Sequence, residues 1–449
     1  MTYPHVLIIG EQFDQFRGAG ITLSNLFSGW PRDCLSVTSY YAPTPDTMQR
    51  ASSYYLLGRE ELIWPWPLSR FVRQPISSPI TDLDRTPLHA SIPSDRSAPS
   101  RKGLLYTKIQ EILGMDGLLP YARISPQFLC WISTRQPDVI YAQVSSLQAI
   151  RFVTRVTKIT GLPLVLHQMD DWLPMSYGIG LLGYWSRSQA DRLFGVLSSI
   201  AIVRMGICSV MAEDYGHRYG TGWKAFHNPI DLDRFKAAAK TNWIAGKPFR
   251  LWYGGRIGWG NQEGLAEACR AVVELRQEGF DICLEICTSA IGNTTLSKFA
   301  HIDGIEIKPF IPHEKIAEML NKPDVLFLPL DWDKHSIARA RLSIPTKTSE
   351  FMASGTTILV YAPHGNALTQ YALEKEWAYV VSEHSLSALK AAIVKLAEDG
   401  NLRECIGRRA MEVASRNHDA KKIREAFQQA FIEAINQHSD FKSKSAGHQ

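Results

Sequence analysis

Short apolar segments alternate with segments of helical pattern along most of this 449-residue chain, and the whole series occurs twice. Helices placed between strands allow successive strands to lie parallel in one sheet through right-handed connections. The alternation therefore predicts an α/β protein with two Rossmann-like, doubly wound parallel-sheet domains. The predicted strands fall at residues 5–10, 34–40, 138–142, 164–167 and 200–208 in the first series, and at 250–253, 282–287, 305–307, 325–329 and 357–361 in the second.

The domain boundaries follow from where the alternation stops and restarts. We predict a first domain over residues 1–228, with an irregular insertion at about 42–100 where prolines and serines crowd. A second domain is predicted over 229–420. Residues 421–437 form one apolar stripe at helical spacing, which predicts a helix that crosses back towards the first domain. The polar residues 438–449 predict a flexible tail.

Charge and cysteine content limit the function classes. The chain has 49 Lys and Arg against 44 Asp and Glu, and this net charge of +5 does not predict nucleic-acid binding. Its seven cysteines contain no C-x-x-C pair, so they indicate a reduced compartment and neither a disulfide framework nor a zinc site. The opening residues indicate a strand rather than a signal peptide, and no apolar run approaches about 20 residues. We therefore expect a cytoplasmic protein.

A Trp- and Pro-rich stretch bears on membrane contact. Residues 64–67 read WPWP, and Arg70 and Arg73 follow closely. Aromatic and basic side chains together suit a peripheral position on the inner membrane face. Trp–Pro pairs in loops also pack on their own domain, so both interpretations stay open.

Two groups of candidate residues follow strands of the first domain, where ligands of doubly wound sheets bind. Gly18 and Gly20 come after the first strand, and glycines before a helix allow close approach of an anion. A tight turn explains them equally well. His167 and Asp170 come at the end of another strand and could orient hydroxyl groups or share a proton. The alternative is a surface loop with a satisfied histidine.

The second domain offers a more specific set. Gly255 and Arg256 directly follow its first strand, where a guanidinium can clamp a diphosphate in bidentate fashion. Residues 345–355 read PTKTSEFMASG and precede a strand. Lys347 and Glu350 lie three positions apart in this string, so they share a face at the start of a predicted helix. A lysine there can neutralise a phosphate, and a glutamate can accept hydrogen bonds from a ribose diol.

The combination of GGR with PTKTSEFMASG before a strand resembles the donor site of retaining glycosyltransferases with the GT-B fold, the glycogen-synthase-like group (glycosyl transferases group 1). The segments PDVIYAQ, PLVLHQMDDW, SVMAEDYGHRYG and NPIDLDRF match landmarks of that group in order, so the resemblance covers about residues 104–440. It implies two domains facing across a cleft. It also implies transfer of a sugar, with retention, from a nucleotide-diphosphate-sugar to a glycan, lipid-linked or small-molecule acceptor. Such transfer serves polysaccharide or glycoconjugate synthesis, and neither a further cofactor nor a metal is expected.

The resemblance also implies a role for each candidate. Arg256 would contact the diphosphate, and Glu350 would contact the ribose. The Gly18–Gly20 loop would face the phosphates from the first domain. His167 or Asp170 would face the sugar.

Two positions depart from the family pattern. The earlier member of the family's pair of glutamates is Leu342 here, and a lysine that commonly follows the arginine is missing from the region of Asn261 and Gln262. We expect Lys347 to supply the missing charge, and Ser343 or a backbone N–H to meet the sugar. These departures leave the sugar open and favour, as one alternative, an inactive relative that acts as an assembly partner.

Two further alternatives are enzymes. Asp331-Trp332-Asp333 has the D-x-D form that binds a divalent ion in metal-using glycosyltransferases, and it follows a predicted strand. A sugar-nucleotide epimerase can share the two-domain architecture. An epimerase would need an acid/base set around the sugar, which the sequence does not single out.

Overall fold

The computed structural model describes residues 3–14, 18–64, 66, 68–70, 74–81, 121–175, 181–258, 260–288 and 301–446. The chain divides into two compact units. The first comprises residues 1–226 and 424–449, and the second comprises residues 227–423. Residues 82–100 of the predicted insertion, together with Pro65, Pro67 and Arg73, lie outside the described residues.

The first unit contains a sheet and the helices that follow its strands. Its strands are β1 (Val6–Ile9), β2 (Leu35–Ser39), β3 (Ser53–Leu56), β4 (Leu62–Ile63), β5 (Ser78–Thr81), β6 (Tyr121–Ala122), β7 (Val139–Ala142), β8 (Leu164–Gln168), β9 (Val203–Gly206) and β10 (Trp223–Ala225). Its helices are α1 (Gly18–Leu26), α2 (Pro45–Met48), α3 (Pro126–Arg135), α4 (Leu147–Thr160), α5 (Leu181–Ile200) and α6 (Ser209–Tyr219).

The second unit repeats the architecture. Its strands are β11 (Phe249–Gly254), β12 (Ile282–Thr288), β13 (Ile305–Pro309), β14 (Val325–Pro329), β15 (Thr357–Tyr361) and β16 (Tyr379–Val381). Its helices are α7 (Leu232–Lys236), α8 (Gln262–Gln277), α9 (Ile316–Leu320), α10 (Lys334–Ala340), α11 (Thr348–Ser354), α12 (Ala367–Lys375), α13 (Leu386–Glu398) and α14 (Gly400–Asn417). A last helix, α15 (Ala420–Ala446), begins in this unit and continues in the first.

Strand order in each unit is that of a doubly wound sheet. The first sheet runs β10-β9-β8-β7-β1-β2-β3-β5, parallel except for the antiparallel pair β3 and β5, and the second runs β13-β12-β11-β14-β15-β16, parallel throughout. The chain reverses direction across the sheet between β1 and β7, and again between β11 and β14. These reversals are the switch points at which open α/β sheets bind ligands. The prediction of two Rossmann-like parallel-sheet domains is confirmed.

In the second unit, the helix α8 buries one face against the sheet. In α8, Leu265, Cys269, Val272 and Leu275 are buried at helical spacing against the sheet. Burial of large apolar side chains of this kind contributes about 1.5–3 kcal/mol for each. This packing fixes the start of α8 next to the switch point between β11 and β14.

The irregular insertion predicted at about 42–100 contains the short regular elements α2, β3, β4 and β5 among its described residues. β3 and β5 extend the first sheet, and Tyr54 and Tyr55 of β3 are buried. Neighbouring prolines and serines hid this short strand, although its two tyrosines favour a pleated surface. Glu61, fully buried, accepts hydrogen bonds from the hydroxyls of Tyr55, Ser77 and Ser125. These three donors make burial of the carboxylate tolerable and tie the segment to the unit.

The last helix is longer than predicted. α15 runs to Ala446, so the residues from 438 to 446, predicted as part of a flexible tail, are helical. Phe427 and Phe431 stand one turn apart and contact Phe27 with edge-to-face geometry at ring-centroid distances of 5.1 and 5.9 Å. This aromatic contact joins residues 424–446 to the first unit.

The WPWP stretch is only partly described. The Trp66 side chain is 75% exposed, and the Arg70 guanidinium lies 5.9 Å from the centre of its ring. None of the described helices combines the length and the apolar character needed to cross a bilayer. Peripheral membrane contact stays a prediction.

Gly10, at the end of β1, has the tightest backbone surroundings near the first switch point. Its φ is +96°, and a Cβ there would stand 1.8 Å from the Gln143 carbonyl oxygen. Gly29 also has a positive φ, of +87°, but nothing lies within 4 Å of its Cβ position. Replacing Gly29 by alanine therefore measures backbone strain alone, whereas replacing Gly10 measures the same strain together with a steric clash.

We expect Gly29→Ala to destabilise the protein by about 1–2 kcal/mol, because only the left-handed backbone is strained. Gly10→Ala introduces the same strain and also displaces the backbone at the end of β7. We therefore expect its loss of unfolding free energy to exceed that of Gly29→Ala by roughly 1–3 kcal/mol. Urea unfolding of both variants and the wild type measures the difference. Equal losses would show that β1 and β7 separate easily at this point.

Candidate functional site

The GGR loop lies at the switch point of the second sheet, directly after β11. Gly255 has a φ of +140°, and its N–H donates a hydrogen bond to the Cys287 carbonyl at 2.9 Å. A Cβ at this position would stand 3.2 Å from the Lys347 amine nitrogen. Glycine is therefore required here by the backbone angle and by the approach of the lysine.

The backbone of Arg256 is held in place from two sides. Its carbonyl accepts hydrogen bonds from the Tyr253 hydroxyl at 2.8 Å and from the Asn261 side-chain amide at 3.0 Å. The Asn261 amide also donates to the Tyr253 hydroxyl at 3.0 Å. The Arg256 side chain is exposed, and its guanidinium has no hydrogen-bond or ion-pair partner among the described residues. The structure thus combines a fixed backbone with an available cation.

Lys347 joins this loop to the segment before α11. Its amine donates a hydrogen bond to the Gly254 carbonyl at 3.0 Å and lies 4.1 Å from the centre of the Tyr253 ring. The ring face attracts the ammonium, but few other groups replace its lost hydration. Burial lowers the pKa of Lys347 from 10.5 to about 7. The amine therefore gains strongly from any anion placed beside it.

Glu350 lies on α11, one turn after Lys347. Burial raises the pKa of Glu350 to about 7, and the positive charge of Arg234 opposes that rise. The segment before the helix is anchored by Asn228, whose amide donates to the Thr346 carbonyl at 3.0 Å and to the Ser349 hydroxyl at 3.3 Å. The predicted pair of cation and carboxyl group thus stands on a fixed turn.

The position of the missing glutamate is filled by a core residue. Leu342 is only 1% exposed, whereas the adjacent Ser343 is half-buried between α10 and α11. The Ser343 hydroxyl lies 3.4 Å from the Arg339 carbonyl, a long and weak hydrogen bond. Neither side chain supplies a carboxylate, so any contact of Ser343 with a sugar stays a prediction.

Both aspartates of the D-x-D string cap helices. Asp331 accepts hydrogen bonds from the backbone N–H groups of Gln262 and Gly264, at 3.0 and 2.9 Å, at the start of α8. Asp333 accepts from the N–H groups of His335 and Ser336 at the start of α10. N-cap interactions of this type contribute about 1 kcal/mol each. The two carboxylates therefore stabilise the starts of two helices, a role that the D-x-D motif does not reveal.

The structure places His167 one residue before the end of β8, and its contact with a sugar stays a prediction. It lies within β8 and is 0% exposed, with its Nδ1 2.7 Å from the Tyr141 hydroxyl. Gln143 donates a hydrogen bond to the same hydroxyl at 2.8 Å. The His167 Nε2 has no partner among the described residues. Burial lowers the pKa of His167 to about 3, so the ring is neutral.

The two aspartates after β8 differ sharply. Asp170 is exposed at the bend that follows the strand. Asp171 is buried and accepts hydrogen bonds from the Tyr215 hydroxyl and the Arg218 guanidinium, both at 3.1 Å. Of this pair, Asp171 anchors α6, and Asp170 is the one whose carboxylate reaches solvent.

The Gly18–Gly20 segment forms the first turn of α1. A Cβ on Gly20 would stand 2.4 Å from the Cβ of Asp14 and 2.9 Å from the Gln12 carbonyl oxygen. The close approach that requires this glycine is therefore made by the chain's own loop after β1. Contact of this loop with phosphates stays a prediction.

Two supporting residues escaped the sequence analysis. The Tyr253 ring face contacts the Lys347 amine, and the Tyr253 hydroxyl donates a hydrogen bond to the Arg256 carbonyl. The Asn261 side-chain amide donates to the same carbonyl. Asn261 directly precedes α8. An asparagine shortly after the GGR string was the available signal, because asparagine often occupies the residue that precedes a helix.

Comparison with known proteins agrees with this geometry. Residues 248–399 match the family model described as Glycosyl transferases group 1. The matched residues lie within the second unit. A search among curated proteins finds no significant sequence match.

Solved structures show that the whole chain has the GT-B fold. HepE from Anabaena, solved with UDP and glucose, is 14% identical, with a TM-score of 0.57 over 95% of this chain and 99% of its own. Sucrose-phosphate synthase from Thermosynechococcus elongatus is 12% identical, with a TM-score of 0.60 over 97% and 100%. WaaG, a glycosyltransferase involved in lipopolysaccharide biosynthesis, is 12% identical, with a TM-score of 0.53 over 94% and 99%. At these identities the likeness establishes the fold alone.

The lowered pKa of Lys347 predicts how Lys347→Met changes stability with pH. Between about 7 and 10.5 the unfolded chain holds a proton on this amine that the folded chain has released, so stability rises with pH in that window. We expect Lys347→Met to stabilise the fold by on the order of 1 kcal/mol at pH 7, with the gain vanishing towards pH 10. Thermal unfolding of both proteins at several pH values tests this. A variant less stable than the wild type at pH 7 would contradict it.

Proposed function

We propose that this protein is a retaining glycosyltransferase that takes a sugar from a nucleotide-diphosphate-sugar held by the second unit. The observation that carries the proposal is the exposed Arg256 guanidinium on a fixed loop, beside a lysine amine in an aromatic setting, at the switch point between β11 and β14. A diphosphate is the ligand that such cations match, because bidentate guanidinium contacts neutralise adjacent phosphate oxygens. The family match over residues 248–399 supports the same chemistry.

Each residue of this site has one task in the proposal. Arg256 and Lys347 bind the diphosphate, and Gly255 leaves room for it. Glu350, when ionised, accepts hydrogen bonds from the ribose hydroxyls. HepE was solved with UDP and with UDP-glucose, which favours a uridine nucleotide as the first donor to try.

The mechanism centres on the leaving group. The bond from the sugar C1 to the diphosphate oxygen breaks through an oxocarbenium-like state, and negative charge collects on the departing diphosphate. Arg256 and the ammonium form of Lys347 stabilise that charge where it develops, which is how preorganised cations lower a barrier. The acceptor hydroxyl attacks from the face that the diphosphate leaves, gives its proton to a phosphate oxygen, and so preserves the anomeric configuration.

A metal is not needed in this scheme, because two cationic side chains do the work of a bound ion. The caps formed by Asp331 and Asp333 support this part of the proposal, since both carboxylates are already engaged with backbone N–H groups. The acceptor is a glycan, a lipid-linked glycan or a small molecule, in polysaccharide or glycoconjugate synthesis.

Leu342 favours a second candidate, a nucleotide-sugar-binding partner without transferase activity. Its burial places an apolar side chain where the family has a carboxylate. Such a protein would bind the donor without turning it over. Binding and turnover must therefore be measured separately.

The deciding experiment combines a donor panel with candidate acceptors. We expect one nucleotide sugar to raise the unfolding temperature and to be consumed only when an acceptor is present. NMR of the product should show the donor's anomeric configuration, and excess EDTA should leave the rate unchanged. Consumption of donor without acceptor indicates an epimerase, binding without turnover indicates the second candidate, and an inverted product refutes retention.

Arg256→Ala tests the residue assignment. Loss of the guanidinium removes charge stabilisation of the leaving group, so we expect kcat to fall about 100- to 1,000-fold with an unchanged unfolding temperature. Arg416→Ala is the matched control, since Arg416 is an exposed arginine paired with Glu412 on α14. Near-normal turnover by Arg256→Ala would contradict the assignment.

A further inference from the structure

A cluster of two carboxylates and an imidazole lies on the second unit, on residues outside the proposed donor site. Glu263 and Glu267 stand one turn apart on α8, and His384 comes from the segment between β16 and α13. One ligand atom from each of the three lies within 4.8 Å of the other two. The His384 Nε2 and a Glu267 oxygen are 3.0 Å apart. Ligand atoms of a tetrahedral zinc ion stand roughly 3.4 Å apart, so small side-chain rotations suffice for coordination.

Among the described residues, Arg270 is the only arginine or lysine that pairs with either carboxylate. Like charges one turn apart on a helix repel each other. Glu263 has no ion-pair partner within the described part of the chain, and the Glu267 side chain is 11% exposed. Arg270 reaches Glu267 at 3.3 Å, but its own side chain is 50% exposed. A buried carboxylate next to a second one gains from a cation bound between them.

The surroundings of the cluster resemble the second layer of contacts around a metal ion. The Tyr361 hydroxyl donates to the other oxygen of Glu267 at 2.5 Å, which fixes that carboxylate. The His384 ring stacks on Trp332 with centroids 4.7 Å apart and planes 7° from parallel. This stack orients the imidazole, and contacts of this kind commonly hold metal ligands in place.

We propose that Glu263, Glu267 and His384 bind a divalent transition-metal ion of the zinc class, with water completing the coordination. An imidazole with carboxylates suits zinc better than calcium or magnesium, which take oxygen ligands alone. Glu263 and His384 are exposed, so an ion can enter from solvent. The bound ion connects α8 to the segment after β16 and stabilises the unit. It takes no part in sugar transfer, and the proposal does not depend on the proposed function.

Cobalt titration of the full-length protein tests the site. After EDTA treatment and buffer exchange, we expect one equivalent of Co²⁺ to bind with the visible bands of nitrogen and oxygen coordination, and Zn²⁺ to displace it. A thiolate-to-cobalt charge-transfer band would place the ion on cysteine and overturn the proposal, since Cys130 and Cys405 are exposed. Absence of binding would overturn it as well.

Two variants at proposed ligands and one at an outer contact test the assignment. His384→Ala and Glu263→Gln should each weaken Co²⁺ binding at least tenfold, and Tyr361→Phe, which alters only the outer contact, about tenfold. Glu274→Gln is the matched control, because Glu274 is an exposed residue on the same helix paired with Lys390. Zn²⁺ should raise the unfolding temperature of the wild type and of Glu274→Gln, but not of folded His384→Ala. Unchanged cobalt affinity in His384→Ala and Glu263→Gln would refute the assignment.

Discussion

The hydrogen bond from the Lys347 amine to the Gly254 carbonyl determines the geometry of the candidate donor site. It joins two segments that are 93 residues apart in the chain. The amine reaches the carbonyl because Gly255 has no side chain in its way and because the Tyr253 ring supports the ammonium from below. This contact links the loop carrying Arg256 to the turn before the helix that carries Glu350.

The carboxyl edge of the second sheet is arranged by polar contacts rather than by packing alone. Asp331 fixes the start of α8, and Asn261, the residue just before that helix, fixes the Arg256 carbonyl. Each of these side chains forms hydrogen bonds with backbone groups that would otherwise have no partner within the element or loop to which they belong. The fold thus leaves the Arg256 guanidinium exposed, while the backbone that carries it is held by hydrogen bonds. A guanidinium that is exposed and backed by a rigid loop can meet a diphosphate without rebuilding its surroundings.

The sequence predicted the second unit better than the first, and the difference has a physical cause. β14 and β15 begin and end where predicted, because buried parallel strands are continuous apolar runs that stand out from the chain. β3 was missed because a four-residue strand between prolines and serines gives a weak signal. The GGR and PTKTSE strings could be assigned to one site because GGR ends the strand β11 and PTKTSE begins the helix that leads into β15. In a parallel sheet, the carboxyl ends of the strands and the N-termini of the connecting helices lie at the same edge.

The sequence did not predict in which direction the side chains point or which residues they contact. Strand periodicity places His167 on one face of β8, but only the fold shows that Phe427 from the far end of the chain lies 6.5 Å from its ring. A histidine in that setting becomes a core residue. Likewise, the D-x-D string does not reveal that the Asp331 carboxylate accepts hydrogen bonds from the start of α8. Short motifs constrain which residues are near a ligand much less than they constrain where a loop lies.

The opposite pKa shifts of Lys347 and Glu350 have a common origin. Each group is charged at neutral pH in water, and burial moves the pKa of each to about 7, so near that pH both are partly neutral. An anion beside the amine raises the pKa of Lys347, because the ammonium form is then favoured, and a hydrogen-bond donor beside the carboxyl group lowers that of Glu350. A ligand that carries both a diphosphate and a diol would restore both charges at once. Burial of these two groups therefore lowers the stability of the fold, which is the usual condition of residues retained for binding rather than for folding.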